Sequence, residues 1–293
     1  MLKRLFLFAA IIFVFTVFAD EAEKSGVVFT YPEWKLKALS FSYDDGNIAD
    51  RQLVKIFNKY GMKATFHIPS ARVKKKMANQ VTEEEINELY KGHEISGHGA
   101  NHLALAKLPQ DKVDAEIKTD IAEFKRITGK NITGYAYPYG SWSTAVINIL
   151  KKNGLIYSRV VGNGYSFELP ENFLTWKAYS HHNSNIAAAA GKYLAFKPEK
   201  MSVLLIWGHS YEFPINKNWS AIENFCRQMS GREDIYYASM NDIASYVIAC
   251  RQAVFSKDGK VLKNNSDKRL FLLHNGKKII VEPYSETHFQ AKN

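Results

Sequence analysis

Leu39-Ser40-Phe41-Ser42-Tyr43-Asp44-Asp45-Gly46 is a strand-like run that stops at two adjacent carboxylates and a glycine. Neighbouring carboxylates ionise together only at a cost unless a cation compensates one of them. The pair therefore points to a bound metal or to a division of roles between acid and base. Standing alone, the stretch reads as an Asx-type turn closing a strand. The residues downstream of Gly46 decide between these readings. Ile48, Leu53, Val54, Ile56 and Phe57 recur at helical spacing up to Gly61, and Lys63 to Ile68 forms a second strand stopped by Pro69.

The rhythm of strand and helix continues. Thr82 and Glu85 make a capping box for a helix carrying Ile86 and Leu89 to about Gly92. His93 to Ser96 is a short strand running into Gly97-His98, and Val113, Ile117, Ile121 and Phe124 define an amphipathic helix between Pro109 and Gly129. Ile132 to Tyr137, Leu155 to Val161, Val203 to Trp207 and Ile235 to Ala238 read as strands. Ala145 to Lys152, Ile186 to Leu194, Trp219 to Met229 and Met240 to Cys250 read as helices. Residues 162–185, rich in turn formers and aromatics, match no periodic pattern. This alternation predicts an α/β domain with a mainly parallel sheet or barrel, whose sites lie at the carboxyl ends of its strands.

From about Ala253 the texture changes. Arg269 to His274 and Lys278 to Val281 flank Asn275-Gly276, a hairpin turn signal, and Val261-Leu262 adds a further short strand. The tail, with eight Lys or Arg against four Asp or Glu, is expected to be a small β appendage. It serves as a structural cap or as a basic polymer-gripping surface.

At the other end, Lys3 and Arg4 precede an apolar run from Leu5 to Phe18, with Ala19 before Asp20. Residues 1–19 read as a secretory signal peptide. The competing reading, an uncleaved anchor, suffers from a run short of the ~20 residues a span requires. The expected division is therefore 1–19 signal, 20–252 main domain and 253–293 appendage, in an exported protein with no transmembrane span after signal removal. The formal net charge of +10 drops by the charges of Lys3 and Arg4 to +8, which suits an anionic polymer or surface. The basic residues form no arginine-rich stripe, so nucleic acid is not an expected partner. Cys226 and Cys250 fit no metal motif and are either a disulfide or two buried thiols.

Four groups fall at predicted strand ends: Asp44 with Asp45, His98 with His102, the Tyr137-Pro138-Tyr139-Gly140 turn, and His209. Two imidazoles four residues apart can face one point on a helical turn, and one Asp with two His leaves coordination positions open, as a catalytic zinc site requires. His181-His182 and Tyr211-Glu212 are further candidates to line the cleft, His67 reads as core, and Tyr137, Tyr139, Trp176 and Trp207 suit stacking on sugar rings.

In this combination and order the motifs resemble those of the polysaccharide deacetylases that share the NodB homology domain (carbohydrate esterase family four). The resemblance runs from about Leu36 to Ala249. It rests on Ser42 to Gly46, Lys63 to Phe66, Gly92 to Ile95 with the His98/His102 pair, Tyr137 to Gly140, and Leu205 to His209. It implies a distorted (β/α) barrel of about seven parallel strands and metal-dependent removal of acetyl groups from an acetylated glycan, with N-acetyl and O-acetyl substrates both open. It further implies Asp45, His98 and His102 as ligands of a divalent metal, usually zinc, Asp44 as catalytic base, His209 as leaving-group acid and the Tyr139 amide as oxyanion donor. Tyr137, Trp176 and Arg159 are the remaining candidate substrate or site residues.

Three departures from the family pattern stand out. Ala136 occupies the place of an arginine that orients the base, with Arg159 or Lys177 as candidate replacements. Gly99 stands where Ser or Thr is usual. The family's Asp-and-Trp motif has no clear match, with Trp176 able to supply the aromatic wall. A carbohydrate-binding protein with decayed catalysis is the alternative from a different class.

Overall fold

The computed structural model describes residues 26–289, so the expected signal segment 1–19 lies outside the described residues. The chain forms two compact units. Among the described residues, the larger comprises Ala38–Lys197 and Ser202–Ala244, and the smaller comprises 26–37, Pro198–Met201 and 245–289.

Strand β1 (Lys37–Asp44), which belongs to the larger unit from Ala38 on, leads to helix α1 (Asp50–Lys59), β2 (Ala64–Ile68), α2 (Glu83–Leu89), β3 (Glu94–Gly97), α3 (Gln110–Thr128) and β4 (Gly134–Ala136). Then come α4 (Thr144–Lys152), β5 (Tyr157–Asn163), β6 (Trp176–Ala178), β7 (Ser180–His181), α5 (Ile186–Ala195), β8 (Ser202–His209), α6 (Trp219–Met229) and β9 (Ile235–Tyr237), followed by a last helix from Met240. The expected local signals are present: both halves of the Thr82/Glu85 capping box form, and α3 ends at Gly129 in the left-handed conformation.

The strands pair in the order β6-β5-β4-β3-β2-β1-β8-β7, with β9 also beside β1. Residues 162–185, unassigned from sequence, close the ring. β6 pairs in parallel with β5, β7 pairs in parallel with β8, and only Tyr179 separates β6 from β7. One extended segment thus joins both ends of the sheet into a nearly closed barrel of eight strands, one more than expected. It escapes periodicity analysis because each piece is only two or three residues long.

β1 is buried along its whole length, and its alternation separates two kinds of interior. Phe41 and Tyr43 face the helices, with ring centroids 4.5 and 5.8 Å from Phe57. Ser42 and Asp44, on the other face, meet Arg159 of β5. The registers Asp44↔His67, Ile68↔Gly97, Gly97↔Tyr135 and Ala136↔Arg159 bring the carboxyl ends of β1 to β5 to one rim.

The smaller unit holds two three-stranded antiparallel sheets. Val27–Thr30 pairs with Leu270–His274, which forms a hairpin with Lys277–Val281 through Asn275-Gly276. Val254–Phe255, Val261–Lys263 and Glu286–His288 make the second sheet. The hairpin matches its turn signal, with Asn275 and Gly276 both at positive φ. The strands at Val27 and Glu286 are too short and mixed in composition to be read from sequence. Both cysteines are free and buried.

Candidate active site

Asp45 leaves β1 with φ of 78°, its amide bonded to the His67 carbonyl at 2.9 Å and its own carbonyl held by Gln80 Nε2 at 2.5 Å. This left-handed turn aims adjacent carboxylates at different partners. Asp45 Oδ1 lies 3.3 Å from His102 Nε2 and 4.0 Å from His98 Nε2. Asp44 turns inward and is 2% exposed.

The two histidines converge, but not on a helical turn as their spacing predicts. Residues 98–102 form a loop in which Gly99 (φ 71°) and His102 (φ 58°) take left-handed conformations, and these turn the imidazoles to a centroid distance of 4.7 Å. Glycine suits this position, because a side chain would be strained at that φ and its Cβ would lie 3.0 Å from Pro138.

Helix α3 pins the loop. Asp120 accepts the His98 amide at 3.0 Å and the Ser70 hydroxyl at 2.6 Å, and Glu116 accepts the Asn101 amide and side chain at 2.8 and 2.7 Å. His98 Nδ1 donates to the Ala136 carbonyl at 2.8 Å, which leaves Nε2 as the lone-pair nitrogen facing Asp45. Burial lowers both imidazoles, His102 to about 4, so both are neutral donors at neutral pH. One carboxylate oxygen and two neutral imidazole nitrogens within reach of a common point fit a divalent metal of the zinc type.

Opposite this group, Asp44 Oδ2 is bound by the Arg159 guanidinium, whose Nε donates to Ser42 Oγ at 3.0 Å. Trp207 covers the guanidinium with its ring at 4.5 Å. Burial alone would raise the Asp44 carboxyl, but Arg159, with His98, His209 and His67, holds it well below the usual carboxylate range. Asp44 Oδ1 has no hydrogen-bond partner. Arg159 thus occupies the position beside Asp44 that Ala136 leaves open, whereas Lys177 is exposed on β6.

His209 ends β8, with Nε2 4.0 Å from Asp44 Oδ2 and Nδ1 bonded to Glu212 at 3.0 Å. Burial lowers the imidazole, but the Glu212 hydrogen bond and the charges of Asp44, Asp45 and Glu212 together raise it above its ordinary value. Tyr139 sits in a left-handed turn (φ 57°), 69% exposed, with its ring 4.5 Å from His102.

Other expectations are corrected by burial. Tyr137 is fully buried and donates to the Leu174 carbonyl at 2.8 Å. Trp176 is 1% exposed, packed edge-on against Tyr157 and Phe173, so neither ring is open to a sugar. Arg159, fully buried on Asp44, is likewise not a substrate contact. His67 belongs to the core, as its place inside a strand predicts. Glu212, by sequence only a cleft residue, supports His209, and its spacing three residues downstream on a turn is the available signal. Arg72, which reaches Asp45 Oδ1 at 3.3 Å, escapes sequence reasoning because nothing in its own context marks it.

The fold and these side chains define a (β/α)-barrel protein with an Asp-His-His cluster at the carboxyl rim of its strands. Residues 33–158 match the family model described as polysaccharide deacetylase. A peptidoglycan deacetylase from Helicobacter pylori is 28% identical over 114 residues, which is 38% of this chain and 36% of that protein. The chain thus spans about a third of the curated relative it matches. Among solved structures, a candidate polysaccharide deacetylase from Mycobacterium smegmatis shares the fold, with a TM-score of 0.57 and 15% identity over 76% of this chain and 93% of the other. A family 4 carbohydrate esterase from Streptomyces lividans in complex with acetate aligns at a TM-score of 0.47 and 15% identity, over 69% of this chain and 90% of the other.

A buried carboxyl near the site makes a stability prediction. Burial pushes Asp50 up to about 7, with Asp45 and Asp44 adding to the rise against the hydrogen bond that Tyr90 donates at 2.6 Å. A carboxyl raised in the folded state stabilises fully below its ordinary value near 4, and that contribution is lost as pH climbs through 7. Asp50→Asn keeps the neutral shape, so in urea titrations its advantage over wild type should grow between pH 4 and 8, by on the order of 4 kcal/mol. The comparison is a difference between chains because His67, His93 and His181, lowered by burial, contribute with the opposite sign over the same range.

Proposed function

We propose that the chain is an exported, metal-dependent hydrolase that removes acetyl groups from a glycan, foremost N-acetyl groups of amino sugars. The observation that carries this reading is the convergence of Asp45, His98 and His102 opposite an ionised Asp44 and the His209–Glu212 pair. In this reading residues 1–19 are the export signal, 20–252 the catalytic domain and 253–293 an accessory β segment. Asp45, His98 and His102 hold a divalent ion, most simply zinc. Such an ion polarises an acyl oxygen and makes water more acidic.

The chain's own residues supply the rest. Asp44, through its unpartnered Oδ1, takes a proton from the water that attacks the acetyl carbonyl. The Tyr139 amide, which belongs to a left-handed turn beside His102, would donate to the oxygen that becomes negative. As the C–N bond breaks, His209 Nε2 gives its proton to the departing nitrogen, supported by Glu212 on Nδ1. Acetate and a free amino sugar result.

An ester leaves as a better leaving group than an amine, so His209 separates the two acetyl chemistries. Acetate release is measured on chito-oligosaccharides and on acetylated xylan. His209→Ala should lose roughly 10²-fold or more on the amide and markedly less on the ester. Equal losses would refute its role as leaving-group acid. Activity on xylan alone would make the chain an O-acetyl esterase. Release from neither, with binding retained, would favour the carbohydrate-binding alternative.

A further inference from the structure

Behind His209 lies a second convergence of ligand atoms. His181 Nε2 and His182 Nε2 lie 3.2 and 3.0 Å from Glu212 Oε2, the oxygen that His209 does not use. We propose that His181, His182 and Glu212 form a second divalent-cation site, of the zinc type, that shares Glu212 with His209.

His182 is the central ligand. It is 2% exposed, and neither of its ring nitrogens makes a well-formed hydrogen bond, the approach to Glu212 included. A buried imidazole in that state is costly, and a metal bond at Nε2 would repay it. The ring is not a loose filler. It is stacked between Tyr43 and Phe213 at 5.6 and 4.2 Å, and it lies so close to Gly208 that a Cβ there would sit 2.0 Å from Nδ1. The His182 amide is held by the Trp207 carbonyl at 2.8 Å, so ring and backbone are both fixed.

The other two donors are also oriented. The His181 amide donates to Asn163 Oδ1 at 2.8 Å, and Trp207 packs edge-on to the His181 ring at 4.6 Å. Glu212 accepts Asn183 Nδ2 at 2.8 Å on Oε2. The side chains of His181 and Glu212 are 17% and 21% exposed, which leaves an entry path for an ion. Two imidazoles and one carboxylate are a zinc-type donor set with room for a further ligand. Binding through His181 Nε2 gives up the 3.1 Å contact of the Asn183 amide with His181 Nδ1.

The test counts zinc per chain after saturation with Zn²⁺ and desalting, without recourse to activity. Wild type should hold two ions. Asp45→Asn/His102→Asn should hold one, and so should His181→Asn/Glu212→Gln, both pairs avoiding the deeply buried His182. Co²⁺ loaded into Asp45→Asn/His102→Asn should show the visible absorption of a four-coordinate ion, absent when His181 and Glu212 are also replaced. Two ions that persist in His181→Asn/Glu212→Gln, or a wild-type count of one that vanishes in Asp45→Asn/His102→Asn, would overturn the second site. A single ion that survives Asp45→Asn/His102→Asn and is lost from His181→Asn/Glu212→Gln would keep this site and overturn the ligand assignment in the proposed function.

Discussion

Asp44→Asn is expected to lower acetate release by about 10²- to 10⁴-fold while leaving the metal content at the wild-type level. The two carboxylates are adjacent in sequence but not in environment. Asp45 turns out through a left-handed residue toward His102, and Asp44 turns in toward Arg159 and His209. Asparagine keeps the shape and removes the proton acceptor. Asp45→Asn should behave differently, losing metal and activity together. If Asp44→Asn instead released the metal, the roles of the two aspartates would be exchanged.

Arg159→Met should be the most disruptive change to stability in the site. Asp44 and Arg159 are both buried, and removing one member of a buried ion pair leaves the other uncompensated, at a cost of about 3–5 kcal/mol. Without the guanidinium, burial dominates and raises the Asp44 carboxyl, so activity should fall further at acid pH than at alkaline pH. Lysine should rescue little, because Arg159 uses Nε for Ser42 and another nitrogen for Asp44, and an ammonium cannot span both. Urea titration and a pH profile of acetate release check both halves. A loss under about 1 kcal/mol with an unchanged profile would mean that Asp44 is oriented by something else.

Much of the barrel is legible in the residues because its main strands and helices carry local signals. Trp219–Met229 matches its periodicity to the residue, and the capping box at Thr82 sets the start of α2. Asp44, Asp45, His98 and His209 stand out because strand ends concentrate chemistry in such folds. The unread parts depend on long-range packing. By sequence Arg159 and Lys177 are equal candidates for the place beside Asp44, and only the pairing of β4 with β5, which sets Arg159 at the level of Ala136, separates them. Trp176 and Tyr137 look like sugar-stacking residues by type, and only the closure of the barrel through residues 162–185 shows that their faces are spent on the core. The exposed aromatics near the rim, Trp142 and Tyr165, cannot be told from buried ones by sequence, since both kinds sit in the same irregular stretches.

The most direct test of the metal-dependent reading is acetate release from chito-oligosaccharides by the full chain, before chelation, after chelation, and after zinc is returned. Loss on chelation and recovery with zinc are the predicted results, with Asp45→Asn/His102→Asn failing to recover. Release that continues undiminished in metal-free protein would contradict metal dependence.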